Sequence, residues 1–272
     1  MEDATEAAPN GRVLLKMRDN VAVLTLNDPS VLNAFGFKLR ADMTWALDQL
    51  ETSGARCLMI TGSGRAFCSG ANLNDPDRPP RDRAAEARGE VKSDLESWYN
   101  PTFVRLRDLD MPIVTAINGI AAGAGMSLAL MGDIRIAASS ASFLQAFARI
   151  GLVPDCGSSF VLPRMIGMAR AMELSMLADR LPAETALAWG MINRVVDDPD
   201  LLGASMEMAL RLAEGPASLT LIRKMYWASL ENSYEQQLGL EAKYQMQAGL
   251  TADYIEGVTA FREKRRTRFT GR

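Results

Sequence analysis

Strand-like and helix-like segments alternate along this chain, and that alternation constrains its fold more than any other feature. "CLMITG" (57–62) is a short apolar run stopped by glycine, as a buried strand is. "MPIVTAING" (111–119) is strand-like, "GAGMSLALMGD" (123–133) helical, and "IRIAA" (134–138) strand-like again. Nearer the N-terminus, "RVLLKMRDNVAVLTL" (12–26) alternates apolar and polar residues on both sides of Asp19-Asn20, the pattern of a β-hairpin. Leu39, Met43, Ala46, Leu47 and Leu50 then fall at helical spacing within 36–52. Repeated strand–helix alternation implies an α/β core with parallel strands.

From about 157 the pattern turns mostly helical. "SSFVLPRMIG", "ARAMELSMLA" and "PAETALAWG" are helix candidates, and "MINRVVDD" is a last short strand. After Gly215-Pro216 come three amphipathic stretches, 217–230, 233–249 and 252–266. The chain therefore divides into a disordered acidic tail (1–11), a strand–helix core (12–210) and a C-terminal helical region (211–272) that packs on its own core or on a neighbouring subunit. Residues 74–98 are nearly devoid of large apolar side chains, which fits a solvated loop or a mobile flap over a site.

Composition removes several function classes. The 272 residues carry a net charge of −3, so no basic field argues for nucleic acid. The basic cluster "EKRRTRF" (263–269) reads by itself as a solvated helix end. The start "MEDATEAAPNGR" is the opposite of a targeting peptide. The apolar run 112–131 is interrupted by Asn118 and glycines and followed by "GDIR", which fits a buried strand-turn-helix better than a membrane span. Three oddly spaced cysteines (57, 68 and 156) make neither a disulfide framework nor a zinc site and favour a reducing cytoplasm. There is no histidine. Ser-His-Asp and Cys-His triads and His-based metal sites are thereby excluded, and chemistry near neutral pH falls to carboxylates, Lys, Tyr, Cys or oriented backbone groups.

Two stretches carry the chemistry. "GSGRAFCSGANL" (62–73) and "INGIAAGAGMSLAL" (117–130) both place small residues where a strand turns toward a helix. Backbone N–H groups are unpaired there, and a ligand can come close to the main chain. Two such turns side by side could aim two N–H donors at one oxygen, an oxyanion hole. Neither stretch fits a phosphate loop or GxGxxG, and "FCSGA" is not a GxSxG elbow, so Ser69 is a poor nucleophile candidate.

"LNDPSVLNAFGFKLRADM", "ITGSGRAFCSGANL", "INGIAAGAGMSLALMGDIRIAA", "GLVPDCGSSFVLPRMIG" and "ADYIEGVTAFREKRRTRFTGR" follow one another in an order that resembles the crotonase, or enoyl-CoA hydratase/isomerase, superfamily over about residues 11–270. The stretch around 151–173 looks closest to the branch acting on ring-epoxidised phenylacetyl-CoA and to Δ3,Δ2-enoyl-CoA isomerases. The resemblance implies a spiral of ββα turns with a C-terminal helical trimerisation module, as a homotrimer or dimer of trimers. It implies coenzyme A as part of the substrate, with no prosthetic group, no metal, no nucleic acid and no membrane. The thioester oxygen would be held by the N–H groups of Ala71 and Ala124. Val31, Leu32, Ser69, Asn72, Leu73 and Asn74 match positions lining the CoA, with Asn72 standing where an acid is usual. Phe261 and Lys264 match residues that reach the CoA from the C-terminal helix, sometimes across a subunit boundary.

Hydratases of the superfamily use two glutamates to hold a water. Those positions are Ser127 and Phe147 here, neither able to shuttle a proton. One carboxylate remains at the corresponding place in the isomerases: Asp155, in "GLVPDCGSS". Set among Phe147 and Val153 it should have a raised pKa, although a following helix start would oppose the shift. Isomerisation needs only one acid/base. Taken alone, the same aspartate reads as a Pro-Asp turn or a helix N-cap. Asp133 is expected to pair with Arg135, while Asp75, Glu86, Glu90 and Asp94 belong to the polar 74–98 segment and Cys156 to packing. Two other readings stay open: a hydratase with water placed by Asp155 and Ser127, and a catalytically idle subunit binding acyl-CoA beside an active crotonase partner. The acyl group cannot be read from the sequence.

Overall fold

The computed structural model describes residues 5–272. Residues 1–4 of the expected tail lie outside the described residues, and the rest of it is not disordered. Thr5–Ala7 forms a strand, β1, antiparallel to Val13–Arg18 (β2), with Glu6 opposite Leu15. The reason is a carboxylate that the composition of the tail conceals. Asp42, fully buried, accepts the backbone N–H of Asn10 (3.0 Å) and of Arg12 (2.7 Å) and the Asn10 side-chain amide (2.8 Å). A buried charge held by three donors fixes the chain that supplies them.

β2 and Val21–Leu26 (β3) form the expected hairpin, turning at Asp19 with φ 51. Asp42 sits on the helix Phe37–Thr52 (α1), whose buried stripe includes Leu39, Met43, Ala46, Leu47 and Leu50. Each such large side chain contributes about 1.5–3 kcal/mol by leaving water. The helix has no side-chain cap of its own, and Asp75 supplies one from elsewhere, accepting the Phe37 N–H at 2.5 Å.

The core is a two-sheet spiral. Cys57–Gly62 (β4) is followed by Ala66–Cys68 (β5), then, after the short helix Arg83–Ala87 (α2) and Asn100–Asp108 (α3), by Ile113–Ile117 (β6) and Ile120–Ala122 (β7). Ala124–Leu130 (α4) leads to Ile134–Ala138 (β8) and Ser142–Leu144 (β9). The first strand of each pair joins one sheet, ordered β1-β2-β3-β4-β6-β8 and then Arg194–Val196 (β11). The second strand joins a smaller sheet in which β5, β7 and β9 run parallel, edged by Leu181–Pro182 (β10). Each ββα turn thus adds one strand to each layer. β6 is buried throughout and β4 nearly so, as parallel strands covered on both faces must be.

The helices Ser158–Ile166 (α5), Met168–Leu177 (α6) and Ala183–Ala188 (α7) lie where the sequence puts them, with α7 between β10 and β11. Leu201–Ala213 (α8) is an addition. Its buried stripe, Leu201, Ser205, Ala209 and Ala213, is mostly small residues, which lets the helix lie close across β4, β6 and β8 but gives a weak apolar pattern. The boundary expected at 211 therefore falls inside a core helix, and the break comes at Gly215-Pro216. Beyond it Ser218–Ser229 (α9), Tyr234–Gly249 (α10) and Ala252–Glu263 (α11) form the C-terminal layer. No residue of α10 is buried, and Tyr234, Leu250, Ile255 and Phe261 are exposed. Among the described residues no helix is long and apolar enough to cross a membrane.

Candidate active site

The two glycine-rich turns meet backbone to backbone. A Cβ built on Gly70 would lie 2.7 Å from the Ala122 carbonyl oxygen and 3.5 Å from the Ala124 nitrogen, and Gly70 has φ +95. A Cβ on Gly125 would collide with the Cys68 carbonyl. Only glycine permits this approach, and it brings the Ala71 and Ala124 amides into one region. Ala71 forms a parallel bridge with Phe35: the Phe35 N–H donates to Gly70 (2.7 Å) and the Asn72 N–H to Phe35 (3.3 Å). The Ala71 N–H is left facing away from that bridge. Ala124 is the first residue of α4, where a helix amide has no intrahelical acceptor. Among the described residues neither amide donates a backbone hydrogen bond outside its own element. Gly123, at φ 50 and ψ −127, takes the conformation forbidden to other residues, so alanine at 124 sits in ordinary helix.

The residues expected to line a CoA gather on one rim of this arrangement. Ser69 donates its N–H to Leu32 (3.0 Å) and its hydroxyl to the Val31 carbonyl (3.3 Å). Asn72 Oδ1 accepts the Asn74 N–H at 3.1 Å, a local turn that presents Leu73, 57% exposed, outward. Asn33 holds the rim from beneath and was not singled out from sequence. It is fully buried at φ 56, accepts the Asp28 N–H (2.8 Å) and donates to the Ser63, Ala66 and Phe67 carbonyls. Its signal was an asparagine beside turn residues, since asparagine tolerates this conformation.

Asp155 joins the site through α4. The Ser127 hydroxyl donates to the Asp155 backbone carbonyl at 3.2 Å, and that carbonyl also accepts the Ser158 N–H (3.1 Å) and hydroxyl (2.9 Å). The backbone of Asp155 thus makes the turn into α5, whereas its carboxylate caps nothing: the N-cap is Gly157, without a side-chain bond. Oδ1 of Asp155 is buried without a partner. Burial pushes this carboxyl above the ordinary aspartate range, and a hydrogen bond from the Cys156 thiol holds it back in part. Cys156 itself, at φ 54, is driven further from ionisation by burial and by the adjacent carboxylate. Burial likewise pushes the Cys57 and Cys68 thiols up to about 12, so none of the three is a thiolate nucleophile.

Ser127 and Phe147 are both buried. Ser127 is 2% exposed with its hydroxyl engaged, and the Phe147 ring, 6% exposed, lies beside Gly123, whose added Cβ would sit 3.8 Å from Cζ. Phe261 and Lys264 stand apart. Phe261, 85% exposed, borders a groove made of C-terminal residues with Tyr254 and Phe269, and Lys264 ends α11 at φ 54. Asp133 pairs with Arg223 of α9 (2.8 Å) instead of Arg135, whose guanidinium turns back to the Gly132 carbonyl. The 74–98 segment is tied to α1 by Lys38–Asp77 (2.9 Å), by Arg40–Asp94 (3.4 Å) and by the Trp98 indole on the Arg40 carbonyl (3.1 Å). Among the described residues no three potential metal ligands come together.

Two amides brought into one region, with a carboxylate of raised pKa on the adjoining loop, could hold a carbonyl oxygen and move a proton beside it. Residues 16–272 match the protein family described as enoyl-CoA hydratase/isomerase. The chain is 45% identical, over 96% of its length and 98% of the relative's, to 1,2-epoxyphenylacetyl-CoA isomerase of Escherichia coli K12. It is 43% identical, over 94% of its length and 97% of the relative's, to a Rhodobacter capsulatus protein named "Probable enoyl-CoA hydratase". The crystal structure of an enoyl-CoA hydratase from Bacillus anthracis matches it with a TM-score of 0.86 at 28% identity, over 96% of this chain and 100% of that one.

Proposed function

The chain belongs to the enoyl-CoA hydratase/isomerase family and is an enzyme of the acyl-CoA type, and on that premise we propose that it is an isomerase working with one carboxylate, Asp155. The observation that carries the reading is the buried, unpartnered Oδ1 of Asp155 on a loop bonded to the helix of Ala124. The thioester carbonyl accepts the Ala71 and Ala124 N–H groups. Asp155 removes a proton from the carbon beside that carbonyl, and the electron pair passes into the thioester as an enolate. Asp155 returns the proton two carbons further on, from the same face, so a 3,4 double bond becomes a 2,3 double bond and the carboxylate is regenerated. A ring epoxide would use the same oxyanion site for its rearrangement.

No water is consumed, which suits a site where Ser127 donates to backbone and Phe147 stands where the resembling hydratases carry a glutamate. Val31, Leu32, Ser69, Asn72, Leu73 and Asn74 would follow the CoA. Phe261 and Lys264 would complete it in a homotrimer or dimer of trimers, a reading supported by the exposed apolar side chains of α10 and α11. The proposed setting is the cytoplasm, where CoA thioesters and three free thiols are compatible.

The test is a 3-enoyl-CoA assay following 2-enoyl-CoA formation, beside crotonyl-CoA hydration. Migration without hydration is the expected result. Hydration at a comparable rate would favour the hydratase, and inactivity of the purified protein on every 3-enoyl ester would favour an idle binding subunit.

A further inference from the structure

Arg40, on α1, is 6% exposed, yet its charge meets no buried carboxylate. Its Nη2 reaches Asp94 at 3.4 Å, and that carboxylate, 23% exposed, lies nearer to Arg78 (3.1 Å). The same nitrogen donates to the Tyr99 hydroxyl at 3.1 Å, while Nε is buried without a partner. The guanidinium is instead caged by rings. Its Cζ lies 4.7 Å from the Phe37 ring centre, 5.4 Å from that of Trp98 and 4.6 Å from that of Tyr99. Ring faces attract a cation, the more so where water is excluded. An apolar side chain of similar length would nevertheless fill this space without the cost of burying a charge. Such a replacement is often neutral or stabilising where no partner is stranded, and Asp94 would keep Arg78. Stability alone does not account for an arginine at 40.

The cage ends at the carbonyl site. Phe35 packs its ring on Trp98 (5.5 Å between centres, tilted by 55°) and on Tyr99 (5.9 Å, 88°), and Trp98 and Tyr99 stand edge to face at 4.8 Å. Phe35 is also the residue whose backbone bridges Ala71, donating to Gly70 and accepting from Asn72. Trp98 and Tyr99 come from the π-helix Leu95–Tyr99, a rare element frequently found at functional sites. The Trp98 indole returns to the Arg40 carbonyl, so Arg40 holds this wall by backbone as well as by side chain.

We propose that Arg40 is a positioning residue for the carbonyl site: the caged guanidinium fixes the rings, the rings fix Phe35, and Phe35 fixes the direction of the Ala71 N–H. The proposal rests on the reading that the Ala71 and Ala124 amides hold the thioester carbonyl.

The probe is butanoyl-CoA, saturated and unreactive, isotope-labelled at the thioester carbonyl. Infrared difference spectra of the bound ester report the hydrogen bonds on that oxygen, which move its stretching band to lower frequency. Arg40→Met should return the band part of the way to its position in the free ester. It should also lower kcat on a 3-enoyl-CoA by about ten- to a hundredfold, the effect of misplacing a group by ~1 Å, with KM within about twofold. Its melting temperature should be no lower than the native one. Arg40→Gln, which keeps a donor for Tyr99 but not the charge, takes its place should methionine not fold. A folded variant with native kcat and a native carbonyl band overturns the proposal, and so does a lowered melting temperature with both of those intact. A bound ester whose band is unmoved in the native protein overturns the carbonyl-binding reading itself, a result distinct from a band that is shifted equally in native protein and variant.

Discussion

The Ser127 hydroxyl, 28 residues from Asp155 in sequence, donates to the Asp155 backbone carbonyl across 3.2 Å. Ser127 lies three residues beyond Ala124 on the same short helix, so this bond ties the amide proposed to bind the carbonyl to the loop of the proposed base. Ser127 is then a positioning residue. Ser127→Ala should lower kcat by about three- to tenfold, the worth of one ordinary hydrogen bond of ~0.5–1.5 kcal/mol, with the acyl-CoA KM unchanged. Ser127→Thr keeps the hydroxyl and should restore most of the rate. A fall in KM and kcat together, or no rescue by threonine, would mean that the serine merely packs.

Asp155→Asn should abolish double-bond migration while retaining CoA-ester affinity, checked by turnover and by calorimetry with a saturated ester. In the native enzyme the acidic limb of kcat against pH should lie above the ordinary aspartate range, because burial raises the Asp155 pKa.

Stability should move the other way. The folded-state pKa of Asp155 exceeds its unfolded one, so the native form binds this proton more tightly and loses stability as pH rises through that interval. Asparagine carries no such charge. Thermal melts should show Asp155→Asn gaining on the wild type between acidic and neutral pH, with no gain below the unfolded-state aspartate pKa. A constant difference across that range would contradict the buried, ionising carboxylate.

Much of this could be read from sequence where the pattern is long or the chemistry exclusive. β4 and β6 are unbroken apolar runs, and the missing histidine together with Ser127 and Phe147 isolates Asp155. β5, β7 and β9 were not legible because each is three residues long, too short for a period to register. The folding of Glu6 onto Leu15 and the capping of α1 by Asp75 depend on carboxylates far away in sequence, which local pattern does not reveal. The Asp133 partner was missed for the same reason: Arg135 is near in sequence, but Arg223 arrives from another layer.

The approach of the two turns at Gly70 makes a sharp test of the paired amides. Gly70→Ala puts a methyl 2.7 Å from the Ala122 oxygen at φ +95, so the 69–71 turn must retreat from Ala124. Losing one donor of such a pair costs about 10²–10³ in kcat, and a loss in that range is expected, with a lowered melting temperature from backbone strain. Unchanged kcat in a folded variant would remove Ala71 from the site.

Arg223 fastens the C-terminal layer to the core, and its removal should be among the most damaging surface-to-core changes. It is 6% exposed. Its Nε donates to both Asp133 oxygens (3.0 and 2.8 Å), and its other nitrogens reach the Leu106, Arg107 and Leu109 carbonyls at the end of α3. Asp133 depends on it: burial pushes that carboxyl up, while the guanidinium and the Ile113 N–H favour its charged form. Arg223→Met strands a half-buried carboxylate and the last carbonyls of a helix, for an expected loss of about 2–4 kcal/mol in denaturant unfolding. That is below the ~3–5 kcal/mol of a fully buried pair because water still reaches Asp133. Adding Asp133→Asn should recover part of that loss, since the stranded charge is gone, and the double variant should then be more stable than Arg223→Met alone. A double variant destabilised by the full sum of the two single losses would show that the pair does not act as a unit.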